Sequence, residues 1–278
     1  MPITKMQKLI ITIAPTGNVP TRELNPHSAL TPKEIVDDIE KCQNLGASVA
    51  HIHARDCEVL KPTCERKIFQ EIITEMEARK LNIIKQVSTG ARGGGNTAEW
   101  RGQMLDIKGI EMASLTTGSS NFPTSVNSNS PELIEELVTK MNANGLKPEI
   151  EAFDTAVIAN ATNLVRTGIL KGPLHFNMVM GVPGSIPATP KHLMFLVDCL
   201  PTGATWTVSG IGRSQVQMLT MAIVLGGHVR TGLEDTLLYK KGVHATNPML
   251  VERIVRIAKE VGREIATPDE ARVIMGLK

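Results

Sequence analysis

Along the chain, short runs rich in β-branched residues alternate with longer stretches whose apolar positions recur every three to four residues. Strand, helix, strand, helix is the rhythm of a parallel sheet joined by crossover helices. The pattern predicts strands at Leu9 to Ala14, Ala47 to His53, Asn82 to Val87, Lys147 to Phe153, Leu174 to Met180, Thr205 to Val208 and His228 to Arg230, with a further strand just ahead of Ser114. Between them, helices are predicted at Arg66 to Arg79, Thr97 to Leu105, Pro131 to Asn142, Asp154 to Thr167, Pro190 to Leu200, Gln215 to Leu225 and Asn247 to Val261. The first helix announces itself through Thr31-Pro32-Lys33-Glu34: an N-cap, a proline at the first helical position and a Glu placed to close a capping box. Thr267-Pro268-Asp269-Glu270 starts one more short helix in the same way. Eight βα units closing into a single (β/α)8 TIM barrel are the economical reading, and an open doubly wound sheet is the alternative.

Composition narrows the function classes. At 278 residues the chain fits one barrel, residues 1–278, and no linker-like or low-complexity segment divides it. A formal net charge of +2 gives no basic field for nucleic acid or an anionic membrane, and 3% aromatic residues leave few stacking platforms for single strands. No apolar run reaches the length of a membrane span. The four cysteines, Cys42, Cys57, Cys64 and Cys199, form no CxxC pair, and no basic-then-apolar leader opens the chain. A cytoplasmic protein acting on small molecules is expected.

The candidate chemistry gathers where strands are expected to end, the rim at which barrel enzymes collect catalytic groups. In Val49-Ala50-His51-Ile52-His53, the two-residue period of a strand turns His51 and His53 to one face. Imidazole pairs of this kind suit Zn, Fe, Ni or Cu; hydrogen-bonded interior histidines would look the same in sequence. His228-Val229-Arg230-Thr231-Gly232-Leu233-Glu234-Asp235 offers Glu234 as a third ligand, Asp235 as an acid–base group and Arg230 as an anion clamp, against the plainer reading of a solvated ion pair. Glu149 and Glu151 share one strand face, with Glu151 nearer the rim. Ser88-Thr89-Gly90 and the stretch from Ser114 to Ser119 add hydroxyls and backbone N–H groups. The glycine-bearing loops from Gly90 to Gly95, Gly181-Val182-Pro183-Gly184 and Gly210-Ile211-Gly212-Arg213 match neither a P-loop nor a dinucleotide fingerprint. The latter two are candidates for cofactor contact. Cys57 and Cys64, although near the histidines, fall in a loop past the strand and are expected to be bystanders.

Taken together, Ile13-Ala14-Pro15-Thr16-Gly17, Leu30-Thr31-Pro32-Lys33-Glu34, His51-Ile52-His53-Ala54-Arg55-Asp56, Gln86-Val87-Ser88-Thr89-Gly90, Gly181 to Gly184, Gly210 to Arg213 and Gly227 to Asp235 resemble the β-keto acid cleavage enzymes, whose type member cleaves 3-keto-5-aminohexanoate. The resemblance runs over essentially the whole chain. It implies a (β/α)8 barrel, zinc held by His51, His53 and Glu234, and a reaction in which a β-keto acid and acetyl-CoA give acetoacetate and a shortened acyl-CoA. In that reaction Asp235, positioned by Arg230, removes the proton α to the carbonyl; Ser88, Gly90, Thr116, Glu151 and Val19 line the substrate, and Gly181, Gly184 and Arg213 contact the cofactor. A homotetramer is also implied. Two positions depart from the pattern. Where aminohexanoate-cleaving members carry an acidic residue two positions past the first Thr-Gly, this chain has Val19, so the substrate tail is expected to lack the amino group. Ser214-Gln215 replaces an aromatic and a histidine expected of some members. The competing expectation is a metal-dependent aldolase or lyase that needs no acetyl-CoA.

Overall fold

The computed structural model describes residues 6–90 and 94–277. Eight parallel strands close into a barrel: β1 (Ile11–Ile13), β2 (Val49–Ile52), β3 (Ile84–Val87), β4 (Met112–Leu115), β5 (Lys147–Ala152), β6 (His175–Met180), β7 (Thr205–Gly210) and β8 (His228–Thr231). Closure is made by β1, which pairs with β8 through Ile11↔Val229 and Ile13↔Thr231 and with β2 through Thr12↔Val49. This is the expected TIM barrel, and the open-sheet alternative falls.

Helices α1 (Pro32–Leu45), α2 (Arg66–Ala78), α3 (Ala98–Arg101), α4 (Pro131–Ala143), α5 (Thr155–Arg166), α6 (Pro190–Asp198), α7 (Gln215–Leu225) and α8 (Asn247–Glu260) follow the strands in turn, and α9 (Pro268–Met275) ends the fold. The capping boxes read from Thr31 and Thr267 are both formed. The helix expected over Thr97 to Leu105 is only one turn: Gly102 follows it, and the chain continues in turns before Ile107. The sequence pattern did not suggest three short hairpins on the rim: Ala54–Arg55 with Pro62–Thr63, Ser120–Phe122 with Ser125–Asn127, and Leu238–Lys240 with Val243–His244. Each follows a barrel strand, respectively β2, β4 and β8, and raises a wall there.

Alternate residues of each strand face outward into the helices, where Ile11, Ile13, Ala50, Ile52, Leu115, Ile150, Met178, Val208 and Val229 join the main core. The inward set has two layers. At the lower end Ile10, Val49, Ile84 and Met112 pack against Ala266, Ala271 and Met275, so α9 plugs the barrel floor. Above them the interior is polar: His51, Gln86, Ser114, Glu149, His175, Asn177, Thr207, Ser209, His228 and Arg230 are all buried. Among the described residues, no helix is long and apolar enough to cross a membrane.

Candidate active site

The strand that carries His51 stops at Ile52, and His53 lies one residue past its end. Both rings still turn to one side, as the period predicts, and that side is the barrel interior. The Nδ1 of His51 is 2.7 Å from Oε1 of Gln86, its partner across the β2–β3 pairing. That contact makes Nδ1 the donor and leaves the Nε2 lone pair facing the cavity. Nε2 of His51 is 3.2 Å from Nε2 of His53, and Oε1 of Glu234 is 3.8 Å from the first and 3.4 Å from the second. Two nitrogens bound tetrahedrally to zinc at 2.0–2.1 Å stand about 3.3 Å apart, so the three ligand atoms already have the spacing of a first coordination shell. Oε2 of Glu234 is buried with no hydrogen-bond partner. Inward-facing lone pairs and an orphaned carboxylate oxygen are what a bound cation would satisfy. The donor set therefore fits a 2-His-1-carboxylate metal centre with an open face.

Glu234 reaches this place because the loops after β1 and β8 are tied together. Ala14 N donates to Thr231 O at 2.9 Å and Glu234 N donates to Ala14 O at 3.2 Å, extending the strand pairing beyond the strands. Gly232 makes the approach possible: at φ +149, a Cβ there would stand 2.0 Å from Ala14 O. Asn247, fully buried at the start of α8, accepts from Leu233 N at 2.9 Å and donates to Pro15 O at 2.9 Å and to Asp38 at 2.8 Å.

Arg230 organises the anions. Its Nε and Nη2 donate to the two oxygens of Asp235 at 3.1 and 2.9 Å; Nη2 also meets Glu234 Oε1 at 2.5 Å, and Nη1 meets Glu151 Oε1 at 3.4 Å. Burial pushes Asp235 up to about 6, against the lowering pull of Arg230 and with a further upward push from Glu234. Burial likewise lifts Glu151 to about 7, with Arg230 opposing. His51 falls to about 4 through burial and then the Arg230 charge. Glu234 goes the other way: burial alone would raise it, yet Arg230 and the two histidines hold it well below the ordinary carboxylate range. The two neighbouring carboxylates are thus shifted in opposite directions, a difference that suits the first to ligation and the second to proton transfer.

These groups open into a cavity of about 560 Å³ lined by His53, Ser88, Gly90, Thr116, Glu151, Arg230, Glu234 and Asp235, with Asn18, Val19, Phe122, Val126, Phe153 and Val182 around them. Every residue expected to ligate, transfer a proton or line the substrate is therefore within or bordering one site, with His51 just beneath. The residues expected to contact the cofactor lie elsewhere. Arg213 lines a neighbouring cavity; Gly181 sits against Ala188 and Ser214, and Gly184 against the Asn121 backbone, while Val182 and Pro183 between them reach the first cavity. Of the loop from Gly90 to Gly95, residues 91–93 lie outside the described residues. Cys57 is exposed and the Cys64 thiol points to Gly90 O at 3.6 Å, neither joining the ligand cluster. Sequence reasoning gave no role to Gln86 or Asn247. Strand alternation could have found Gln86, once its pairing with His51 was known; nothing local marks Asn247.

The family model described as β-keto acid cleavage enzyme matches residues 8–277. A 3-keto-5-aminohexanoate cleavage enzyme from Acetoanaerobium sticklandii is 43% identical over 274 residues, 98% of this chain and 99% of that protein. A 3-oxoadipate:acetyl-CoA acetyltransferase from Cupriavidus necator is 39% identical over 275 residues, 98% of this chain and 95% of its own length. Among solved structures, the apo form of ObcA superposes with a TM-score of 0.81 at 21% identity, over 90% of this chain and 66% of that one. At that identity the likeness speaks for the fold alone.

Proposed function

The chain belongs to the β-keto acid cleavage enzyme family, and from that premise we propose that it cleaves a β-keto acid with a neutral tail in a zinc-dependent exchange with acetyl-CoA. His51, His53 and Glu234 would hold the metal, which supplies Lewis-acid stabilisation for charge developing on the substrate's keto group. The observation that carries the reading is the arrangement of two carboxylates adjacent in sequence around one guanidinium: Arg230 binds both Glu234, beside the two imidazoles, and Asp235, and their environments shift the two in opposite directions.

The chain's own groups then have definite tasks. Asp235, clamped through both oxygens by Arg230, takes the proton from the carbon between the keto group and the carboxylate. The resulting carbanion forms a bond to the acetyl carbonyl carbon of acetyl-CoA, and CoA leaves as the thiolate. The thiolate adds to the original keto carbon. The bond from that carbon to the former α-carbon then breaks, giving the CoA ester of the shortened acid, and the carbanion left on the α-carbon takes back the proton held by Asp235 to leave as acetoacetate. Ser88 and Thr116 offer hydroxyls to the substrate carboxylate, and Arg230 keeps positive charge beside the oxyanion as it forms.

The tail follows from the rest of the wall. Phe122, Val126, Phe153 and Val182 are apolar, Asn18 is neutral, and Val19 cannot pair a cation. Among the described residues, the only carboxylates on the cavity wall are Glu151, Glu234 and Asp235, all bound to Arg230. An apolar or hydroxyl-bearing tail suits this surface, and an ammonium group does not.

The test is acetoacetate formation by zinc-loaded protein from acetyl-CoA and a panel of amino, carboxyl and neutral β-keto acids. Product should require acetyl-CoA, vanish with His51→Ala, and fall about 10²–10⁴-fold in kcat with Asp235→Asn. Preference for an amino-bearing acid would overturn the tail assignment. Turnover without a thioester would put an aldolase or lyase in its place.

A further inference from the structure

A second cavity, of about 760 Å³, lies beside the first and shares Val19, Ile211, Glu234 and Asp235 with it. Its inner end is therefore the wall that carries the proposed base. Its outer rim is cationic, formed by Arg213 after β7 and by Lys240 and Lys241 on the hairpin after β8. All three are exposed, and no ion pair or hydrogen bond holds their side chains among the described residues. Between the rim and the wall the lining is mostly apolar, from Pro20, Leu24, Val216, Leu233, Leu237 and Leu238. Arg253 braces the hairpin from behind, with Nη2 on Tyr239 O at 2.5 Å and the guanidinium 3.4 Å from the Tyr239 ring centroid.

Among the described residues, the first cavity has no comparable seat for phosphates. The two guanidinium groups described on its wall are already engaged, Arg230 by three carboxylates and Arg101 by Thr89 O, Ser128 O, Asn96 and Asn129. A free cationic rim, an apolar passage and a reactive wall at the far end match, in order, the phosphates, the pantetheine arm and the thioester of an acyl-CoA.

We propose that this second cavity is the acyl-CoA channel: the phosphates rest on Arg213, Lys240 and Lys241, and the thioester reaches the Asp235 wall between Val19 and Ile211. The assignment rests on the acetyl-CoA reading above. It separates the two substrates physically, so that a keto acid at the metal centre and a thioester in the channel meet only at the shared wall. Val19, 55% exposed and lining both cavities, stands at that junction.

Two measurements on Lys240→Glu/Lys241→Glu and on Arg213→Glu test it. The first is calorimetric titration with CoA alone, without keto acid. The second is the ratio of kcat/KM for acetyl-CoA to kcat/KM for S-acetylpantetheine, which lacks the nucleotide and its phosphates. Kd for CoA is expected to rise at least tenfold in the double variant, and the ratio to fall at least tenfold, with a smaller loss for Arg213→Glu. CoA affinity within twofold of the parent protein in both variants would overturn the channel, as would no CoA binding by the parent protein. The two readings fail separately. Weakened CoA binding in a protein that makes no acetoacetate supports the channel and sinks the reaction, whereas acetoacetate formed with undiminished CoA affinity in the variants does the reverse.

Discussion

At Gly17 the backbone has φ +66, and a Cβ added there would stand 2.2 Å from Cγ of Glu234. That clash is with the stem of the carboxylate proposed to bind the metal, which Arg230 already holds from the other end, so the side chain has little room to yield. Gly17→Ala is expected to push Glu234 out of the triad while leaving His51 and His53 in place, and to weaken zinc at least tenfold in a competition titration against a chelator. Zinc affinity unchanged in that variant would remove Glu234 from the ligand set. The same arithmetic explains why Glu234 and Asp235, neighbours in one loop, behave differently. Glu234 faces two imidazoles and Arg230, whereas Asp235 is more dominated by desolvation.

The elements divide their labour along the barrel axis. Strand ends and two of the rim hairpins, those after β4 and β8, line the cavities, while α9 closes the opposite end by laying Ala271 and Met275 on Ile10, Val49, Ile84 and Met112. Arg272 fastens that helix from the side, donating to both oxygens of Glu111 at 2.6 and 2.8 Å and to Asn82 O at 2.9 Å. Met275→Ala should cost about 2–5 kcal/mol in urea unfolding, the range for emptying a buried Met site. CoA and zinc binding by the folded fraction should not change, because the plug lies at the far end of the barrel. A loss of zinc affinity equal to that of a ligand variant would show that the floor and the rim are coupled.

At the scale of the whole molecule, the barrel interior stores ionisable groups in their uncharged or paired forms. His228 is buried with Nδ1 accepting from Ile10 N at 3.1 Å, and burial, followed by His175 and Arg263, holds it well below its ordinary value of 6.5. Glu149 is paired with His175 at 3.4 Å. On acidification below about 6.5 the unfolded chain takes up a proton at His228 that the folded chain refuses, so stability is full above that pH and is lost below it. One such group contributes up to about 1.4 kcal/mol per pH unit, until its folded-state value is reached. His228→Gln should lower stability at pH 7 and flatten the decline between pH 6.5 and 5, as read from unfolding free energies. An unchanged slope would mean that the proton goes elsewhere.

The alternation of strands and helices was legible in the sequence, and two capping boxes formed where it placed them. That rhythm leaves few topologies once crossovers must be right-handed and short, yet it left the open sheet standing beside the barrel until the pairing of β1 with β8 closed it. The sequence also placed His51 and His53 on one face, because a two-residue period needs no partner strand to be read; that this face is the interior is a matter of how the barrel closes. α3 came out shorter than its apolar pattern because propensity is local and Gly102 stops it. The rim hairpins escaped because strands of two or three residues carry too little periodicity to detect. Only the tertiary structure decided that the loops after β1 and β8 meet. That seam brings Glu234 to the histidines, seats Gly17 and Asn247 around it, and sets Gln86 behind His51 across a strand pairing. The two cavities flanking Asp235 are likewise made by residues far apart in the chain, Val19 and Ile211 among them. Such distances are fixed by packing and loop closure, and the local pattern of a sequence holds neither.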